Sequence, residues 1–130
     1  MYKQFYCACE YGDYNKIREI LPYIIDINKS NDKGWNAIII AAFNHHLDIL
    51  RFLIQNGADI NSTNINGTSV FMYAKTKVLQ NDNYEILDFL IENGADINTR
   101  DKKNNWTVLD YARSGNHAAL IKYLLTKGAI

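Results

Sequence analysis

The phrase NGADIN is spelled at residues 56–61 and again, letter for letter, at residues 93–98. A repeat this tight reports one structural unit used more than once, and it restricts the fold more than any other feature of the chain. The closing asparagine of each phrase sets the register. IIDIN ends at Asn28, the full phrases end at Asn61 and Asn98, and KGAI at residues 127–130 begins the phrase again. The asparagines are therefore 33 and 37 residues apart.

The segments between the phrases follow one plan. An apolar helical stretch precedes each phrase: residues 17–21, 47–54, 84–91 and 120–125. In residues 47–54 only Asp48 and Arg51 interrupt the apolar surface, which marks a helix sandwiched between neighbours. Upstream lies a shorter segment of small and apolar residues: AIIIAAF at 37–43, SVFMYAK at 69–75 and TVLDYAR at 107–113. The adjacent Ala41 and Ala42 allow a second helix to approach closely. Turn residues come first: NDKGW at 31–35, NINGT at 64–68 and DKKNNW at 101–106, the last one residue longer. Gly34 and Gly67 supply the positive φ a tight turn needs, and Gly57, Gly94 and Gly128 stand where helix-ending glycines do. Each unit thus reads turn, short helix, small loop, longer helix, glycine-led exit.

A period near 33 built of a turn and two helices resembles the ankyrin repeat. Residues 32–61 look like one full repeat, and the resemblance extends over nearly the whole chain. Asn36-Ala37-Ile38-Ile39, Ser69-Val70-Phe71-Met72 and Thr107-Val108-Leu109-Asp110 stand where the family usually has Thr-Pro-Leu-His. The usual His is missing from all three, which predicts weaker hydrogen bonding at the helix starts. The resemblance implies an all-α solenoid of helix-turn-helix units with β-turn or hairpin fingers, in one domain over residues 1–130. Four units are expected, at about 1–28, 29–61, 62–98 and 99–130, with the first and last as caps. The third carries about four extra residues within KTKVLQNDN (75–83), read as a loop insertion between its helices. NGADIN is then structural: Gly caps the outer helix, Ala leaves room, Asp and Asn bond turn backbone, and Ile fills the seam between units.

Composition narrows the functional classes. Fourteen basic residues balance 14 acidic ones, so nothing favours nucleic acid or anionic lipid as the main partner. The longest apolar run, residues 37–43, is far too short to span a membrane, and no signal peptide is evident, so a cytoplasmic protein is expected. Cys7 and Cys9 lie two residues apart in a helix and point to different sides; they read as reduced thiols, at least one of them packed. His45 and His46 fall in the loop between the helices of the second unit, and His117 in the matching loop of the fourth. Family resemblance implies that such His residues bond neighbouring backbone. Adjacent histidines without a nearby thiol or carboxylate make a poor metal pair. No nucleophile elbow, Walker A loop, dinucleotide fingerprint or zinc-protease motif is present, and no catalytic residue, cofactor or metal is assigned. Asn61 and Asn98 also resemble the context in which asparagine hydroxylases modify ankyrin repeats in animal cells, although turn capping explains both.

Resemblance further implies a non-catalytic module that binds another protein through a concave face of fingers and inner helices. Carried over position by position, the fingertips are Asp32, Lys33 and Trp35, then Ile65, Asn66 and Thr68, then Lys102, Lys103 and Trp106. The exposed ends of the inner helices are Glu10 and Tyr11, Phe43 and Asn44, Thr76 and Lys77, and Ser114, with Tyr11 and Phe43 taken as equivalents. Trp35, Trp106, Phe43 and Tyr11 are aromatics where polar residues are usual. They read either as partner anchors or as side chains that stiffen their own fingers. The extra residues 77–83 are a second candidate. Lys33, Arg100, Lys102 and Lys103 make a modestly basic groove suited to an acidic partner surface. Two narrower roles follow: a dedicated inhibitor of immunity type, and a self-associating scaffold. The second rests on Leu120, Ile121, Leu124 and Leu125 as an open apolar end, and a monomer is favoured over a homodimer.

Overall fold

The computed structural model describes residues 1–130 and contains eight α-helices in four consecutive pairs. The inner helices are α1 (Tyr2–Tyr11), α3 (Ala37–Phe43), α5 (Val70–Asn81) and α7 (Val108–Ser114). The outer helices are α2 (Tyr14–Ile20), α4 (Leu47–Gln55), α6 (Glu85–Glu92) and α8 (Ala118–Thr126), and a 3-10 turn at Leu21–Tyr23 prolongs α2. Each inner helix packs on the outer helix that follows it, and α3 also packs on α1 and α5. One continuous core of 30 buried apolar residues runs through all four pairs. The small-residue pattern explains the centre of it. Ala37 through Ala42 are all buried, which is possible only where alanines let helices meet on several sides. Fully buried side chains such as Ile38, Leu50, Leu87 and Leu109 each contribute about 1.5–3 kcal/mol.

The helix starts are better bonded than the missing family tetrapeptide predicts. Asn36, Ser69 and Thr107 each accept a hydrogen bond from the backbone three residues on, at 3.1, 3.1 and 3.2 Å. Asp110 returns a bond from the Thr107 N–H at 2.9 Å and completes a capping box. Short polar side chains at the N-cap replace what a Thr-Pro-Leu-His start would provide.

The repeated phrase has the structural role expected of it. Gly57, Gly94 and Gly128 have φ of 96°, 97° and 99°, the left-handed conformation that ends α4, α6 and α8. Ile97 is buried, and Ile27 and Ile60 pack on the core from the seam. Asp26, Asp59 and Asp96 bond the turn backbone as expected, but the asparagine side chains do not: they reach across to the next unit. Asn28 Oδ1 accepts from the Asp59 N–H at 2.8 Å, Asn61 Oδ1 from the Asp96 N–H at 2.8 Å, and Asn98 Oδ1 from the Ile130 N–H at 3.1 Å. Asn61 and Asn98 also donate to the Gly94 and Gly128 carbonyls, at 3.2 and 3.4 Å. Each asparagine is thus a rung joining one unit to the next.

Two expectations are corrected here. The extra residues of the third unit are a further turn of helix, because α5 continues to Asn81. Val78 is fully buried on the added turn, and this burial keeps the turn helical. The helix stops at Asp82, which is left-handed at φ 55°, and Asn83 accepts a bond from the Glu85 N–H at 3.1 Å. The apolar end of the fourth unit is also mostly closed: Leu120 and Leu124 are buried and Ile121 packs against the core. Leu125 and Ile130 alone stay exposed there among the large hydrophobic residues.

Candidate functional site

The three fingers stack directly on one another. Their bases close through backbone bonds from Asn31 to Trp35, Asn64 to Thr68 and Asp101 to Trp106, so the fourth unit's turn is one residue longer. Asn105 takes up the extra residue at φ 57°. The Lys102 N–H donates to the Asn66 carbonyl at 2.8 Å, which fixes the third finger to the fourth. Gly67, at φ 78°, lies so close that a Cβ there would sit 2.9 Å from the Lys102 nitrogen.

The first residue of each finger organises it. Asn31 Oδ1 accepts from the Lys33 and Trp35 N–H groups, and Asn64 Oδ1 from those of Asn66 and Thr68. In the fourth finger a carboxylate takes over: Asp101 accepts from the N–H groups of Asn104 and Trp106, each at 3.1 Å. Its other oxygen accepts from the Tyr111 hydroxyl. Asp101 is almost fully buried. Burial alone would raise its pKa, but the bonds from Tyr111 and from finger backbone outweigh that and hold it below the ordinary value. Tyr111 is raised in turn, first by burial and then by the carboxylate it bonds.

Above the fingers' bases lies an aromatic cluster. Trp35 meets Phe43 edge-on at 5.3 Å and lies 4.9 Å from Tyr73 of the next unit, while Phe43 and Tyr73 are 5.8 Å apart and perpendicular. Trp106 meets Tyr111 of its own unit at 5.0 Å. The tryptophans therefore do not stand free at the tips; each is half-buried against inner-helix aromatics. Thr68 occupies the same finger position in the third unit and carries no ring. The Tyr111 ring of the next unit is met instead by Lys75, whose Nζ lies 5.0 Å from its centre. Half-buried there, Lys75 has its pKa lowered by loss of solvent.

The remaining expected residues divide by exposure. Asp32, Lys33, Ile65, Asn66, Lys102, Lys103 and Ser114 are exposed, and Lys77 and Asn44 are half-buried. Asn44 is turned back onto its own helix, donating to the Ile40 carbonyl at 2.9 Å. The pairing of Tyr11 with Phe43 is off by one residue. Asp13 and His46 donate to the carbonyls of Ala8 and Ala41, which makes those alanines equivalent. Phe43 then matches Glu10, and Tyr11 matches Asn44. Tyr11 is 78% exposed and lies outside the groove that Glu10 helps to line. That groove, about 740 Å³, opens between α1 and the first finger over Tyr6, Trp35, Ile40 and Phe43. Arg100 is not a free cation: it donates to the Asn105 carbonyl at 2.9 Å and lies 3.6 Å from Asp110.

Tyr73, Tyr111 and Lys75 were absent from the sequence reading. The signal for the tyrosines was available, since each stands four residues after its helix N-cap, Ser69 or Thr107. Aligning the units on their caps brings both onto one position, held by Ile40 in the second unit. His46 bonds across units as expected, its Nε2 lying 2.9 Å from the Glu10 carbonyl. His117 is exposed and makes no such bond. His45 adopts φ 62° with its Nε2 buried and unpartnered; burial lowers its pKa, and the nearby Lys77 and His46 lower it further against an opposing influence of the Ala74 backbone. Cys9 is fully buried, which pushes its thiol up to about 12, whereas Cys7 is exposed. No group of three or more His, Cys, Asp or Glu is placed to hold a metal ion, and no helix is long and apolar enough to cross a membrane.

Charge divides between the two sides of the stack. The outer helices and adjoining turns carry nine of the 14 acids (Asp13, Glu19, Asp26, Asp48, Asp59, Glu85, Asp88, Glu92, Asp96) and five of the 14 bases (Lys16, Arg18, Arg51, Lys122, Lys127). The other nine bases and five acids lie on the inner helices, the fingers and their flanks. A chain with no net charge thus has an inner side that is positive by four and an outer side that is negative by four.

Stacked helix pairs with fingers over an aromatic inner face define a repeat-solenoid binding protein. The chain belongs to the ankyrin repeat family: the family described as "Ankyrin repeats (3 copies)" matches residues 5–101 and 59–130. Ankyrin repeats generally mediate protein–protein interaction. Among similar proteins, NAD-capped RNA hydrolase NUDT12 of Homo sapiens is 37% identical over 57 residues, covering 43% of this chain and 12% of the relative. Protein phosphatase 1 regulatory subunit 27 of Homo sapiens is 34% identical over 56 residues, 43% of this chain and 36% of the relative. Alpha-latrocrustotoxin-Lt1a of Latrodectus tredecimguttatus is 33% identical over 58 residues, 44% of this chain and 4% of the relative. The likeness spans only a small part of the hydrolase and the toxin and about a third of the regulatory subunit.

Proposed function

We propose that this chain is a non-catalytic recognition module that holds a partner protein against its inner face. The observation that carries this reading is the half-buried ring cluster of Trp35, Phe43 and Tyr73, built across two units beside a groove of about 740 Å³. Aromatic side chains fixed by their neighbours lose little freedom when a partner covers them, which is what an interface anchor requires. The backbone bonds that lock the fingers before any partner arrives support the same reading. Self-association has less to rest on, because Leu120 and Leu124 of the last unit are buried and Ile121 packs on the core. An inhibitor of immunity type fits the rigid face equally well but has no observation of its own.

Site-specific photocrosslinking tests the reading. A benzophenone side chain placed at Lys33 or Asn66 is expected to capture one discrete partner from an extract of the native source. The same group at Arg18 or Glu85 on the outer helices should capture none of it. Adducts that form from the outer positions and not from the fingers would move the interface to the other side.

A further inference from the structure

We infer that the inner face is bipartite and takes an extended acidic protein segment that also carries an apolar anchor residue. This rests on the inner-face reading above and deepens it. The two halves of the face differ in chemistry. Towards the first units, the groove is floored by Tyr6, Trp35, Ile40 and Phe43, with both signs of charge at its rim, Lys3, Lys29 and Lys33 against Glu10 and Asp32. An apolar side chain fits there, and the rim is only weakly positive. Towards the last units two of the three inner-side acids are engaged, while Asp82 stays exposed at the end of α5. Asp101 is buried and holds the finger together, and Asp110 is committed to the Thr107 N–H and to Arg100. The side chains of Lys102, Lys103 and Arg113 are exposed with no hydrogen-bond or ion-pair partner, and Lys75 adds a cation over Tyr111. Thr68 separates the halves, since a third tryptophan there would continue the aromatic surface.

A surface on which unpaired cations outnumber free acids attracts an anionic ligand, and its rim charges set association rate and partner choice. A protein segment is favoured over nucleic acid because Trp35, Phe43 and Tyr73 meet at 62°, 57° and 90° and so offer no parallel set of ring faces. Stacked bases need open ring faces. An acidic segment instead uses the lysines and seats one side chain in the groove.

The test is a selection of random 12-residue peptides displayed on phage against the full chain. Wild type, a Lys102→Glu/Lys103→Glu/Arg113→Glu variant and an outer-face Glu85→Lys/Glu92→Lys variant are compared after circular dichroism confirms equal helicity. Peptides selected by wild type are expected to pair one large apolar residue with a run of Asp and Glu. Their affinity should fall about tenfold or more on the first variant, and should hold on the second. Peptides with no acidic bias, no enrichment, or equal binding to the first variant would overturn the inference. So would a 12-nucleotide single-stranded RNA that displaces the peptides and binds more tightly, which would make the face one for nucleic acid. Photocrosslinks separate the two levels: peptides captured at Lys33 or Asn66 without acidic bias sink this inference alone, and peptides captured only at Arg18 or Glu85 sink the inner-face reading as well.

Discussion

Asp101 is the residue on which the fourth finger depends. It is buried, charged and bonded to two backbone N–H groups and one hydroxyl. Asp101→Ala leaves all three donors without their acceptor and should lower stability by about 2–4 kcal/mol in urea unfolding. Asp101→Asn keeps an acceptor for the backbone and should cost about half as much. The folded pKa is depressed, so the contribution is present above the unfolded value near 4 and is lost as pH falls through the lower folded value. In a Trp35→Phe background Trp106 is the single remaining indole. Its emission should therefore change in acid before the far-ultraviolet circular dichroism does. Simultaneous change of both signals would show that the finger has no separate acid response. The glycines offer a sharper contrast. Gly67 and Gly57 both have positive φ, but a Cβ at Gly67 meets the Lys102 nitrogen at 2.9 Å while one at Gly57 meets nothing within 4 Å. Gly57→Ala should cost about 1 kcal/mol from backbone strain, and Gly67→Ala about twice that or more, because the backbone of the next finger must also move.

At the level of the element, the added turn of α5 is a natural deletion experiment. Removing residues 77–80 takes out about one helical turn and leaves Asp82 and Asn83 in register for the left-handed stop and the following cap. The shortened chain should fold with native helicity, losing about 1–2 kcal/mol for the buried Val78. Removing residues 77–79 instead leaves the end of the helix about 60° short of a whole turn, on the opposite side from the overshoot of about 40° in the four-residue deletion, and should disturb the α5–α6 pairing more, seen as a larger loss in the same urea measurement. This element also shows how far sequence reasoning reaches. Period and phrase were enough to place every helix pair and to count four extra residues. They did not reveal that the extra residues were helical, because a polar stretch with Asn and Asp reads as a loop. Its helicity comes from Val78 meeting the core, a fact about neighbours. The binding face divides the same way: Trp35 and Trp106 were visible from the register, while Lys75 on Tyr111 depends on a contact between units.

For the whole molecule, stability rests on joints between units, since no helix pair can bury its apolar face alone. Among the asparagine rungs, Asn61 bonds the next unit most closely at both side-chain atoms, at 2.8 and 3.2 Å. Asn61→Ala should lower stability by about 1–2 kcal/mol. It should also reduce the urea m-value, because the two halves of the stack then unfold less cooperatively. Asn98→Ala should have the smaller effect, with bonds of 3.1 and 3.4 Å to the chain's last residues. An unchanged m-value for Asn61→Ala would place the coupling wholly in the apolar core.

The asparagine rungs also decide how the chain carries a load. A force applied to its two ends passes through the joints one after another, as through springs in series, and the softest yields first. The inner helices α1, α3 and α5 pack closely in turn while α5 and α7 barely meet, so the joint to the last unit is that one. Peeling should start with the unit nearest residue 130 and advance joint by joint, each step releasing a similar length of chain. The released segment stays tethered beside the folded unit that templates it, so it can rejoin when tension drops, and the molecule would recoil instead of tearing.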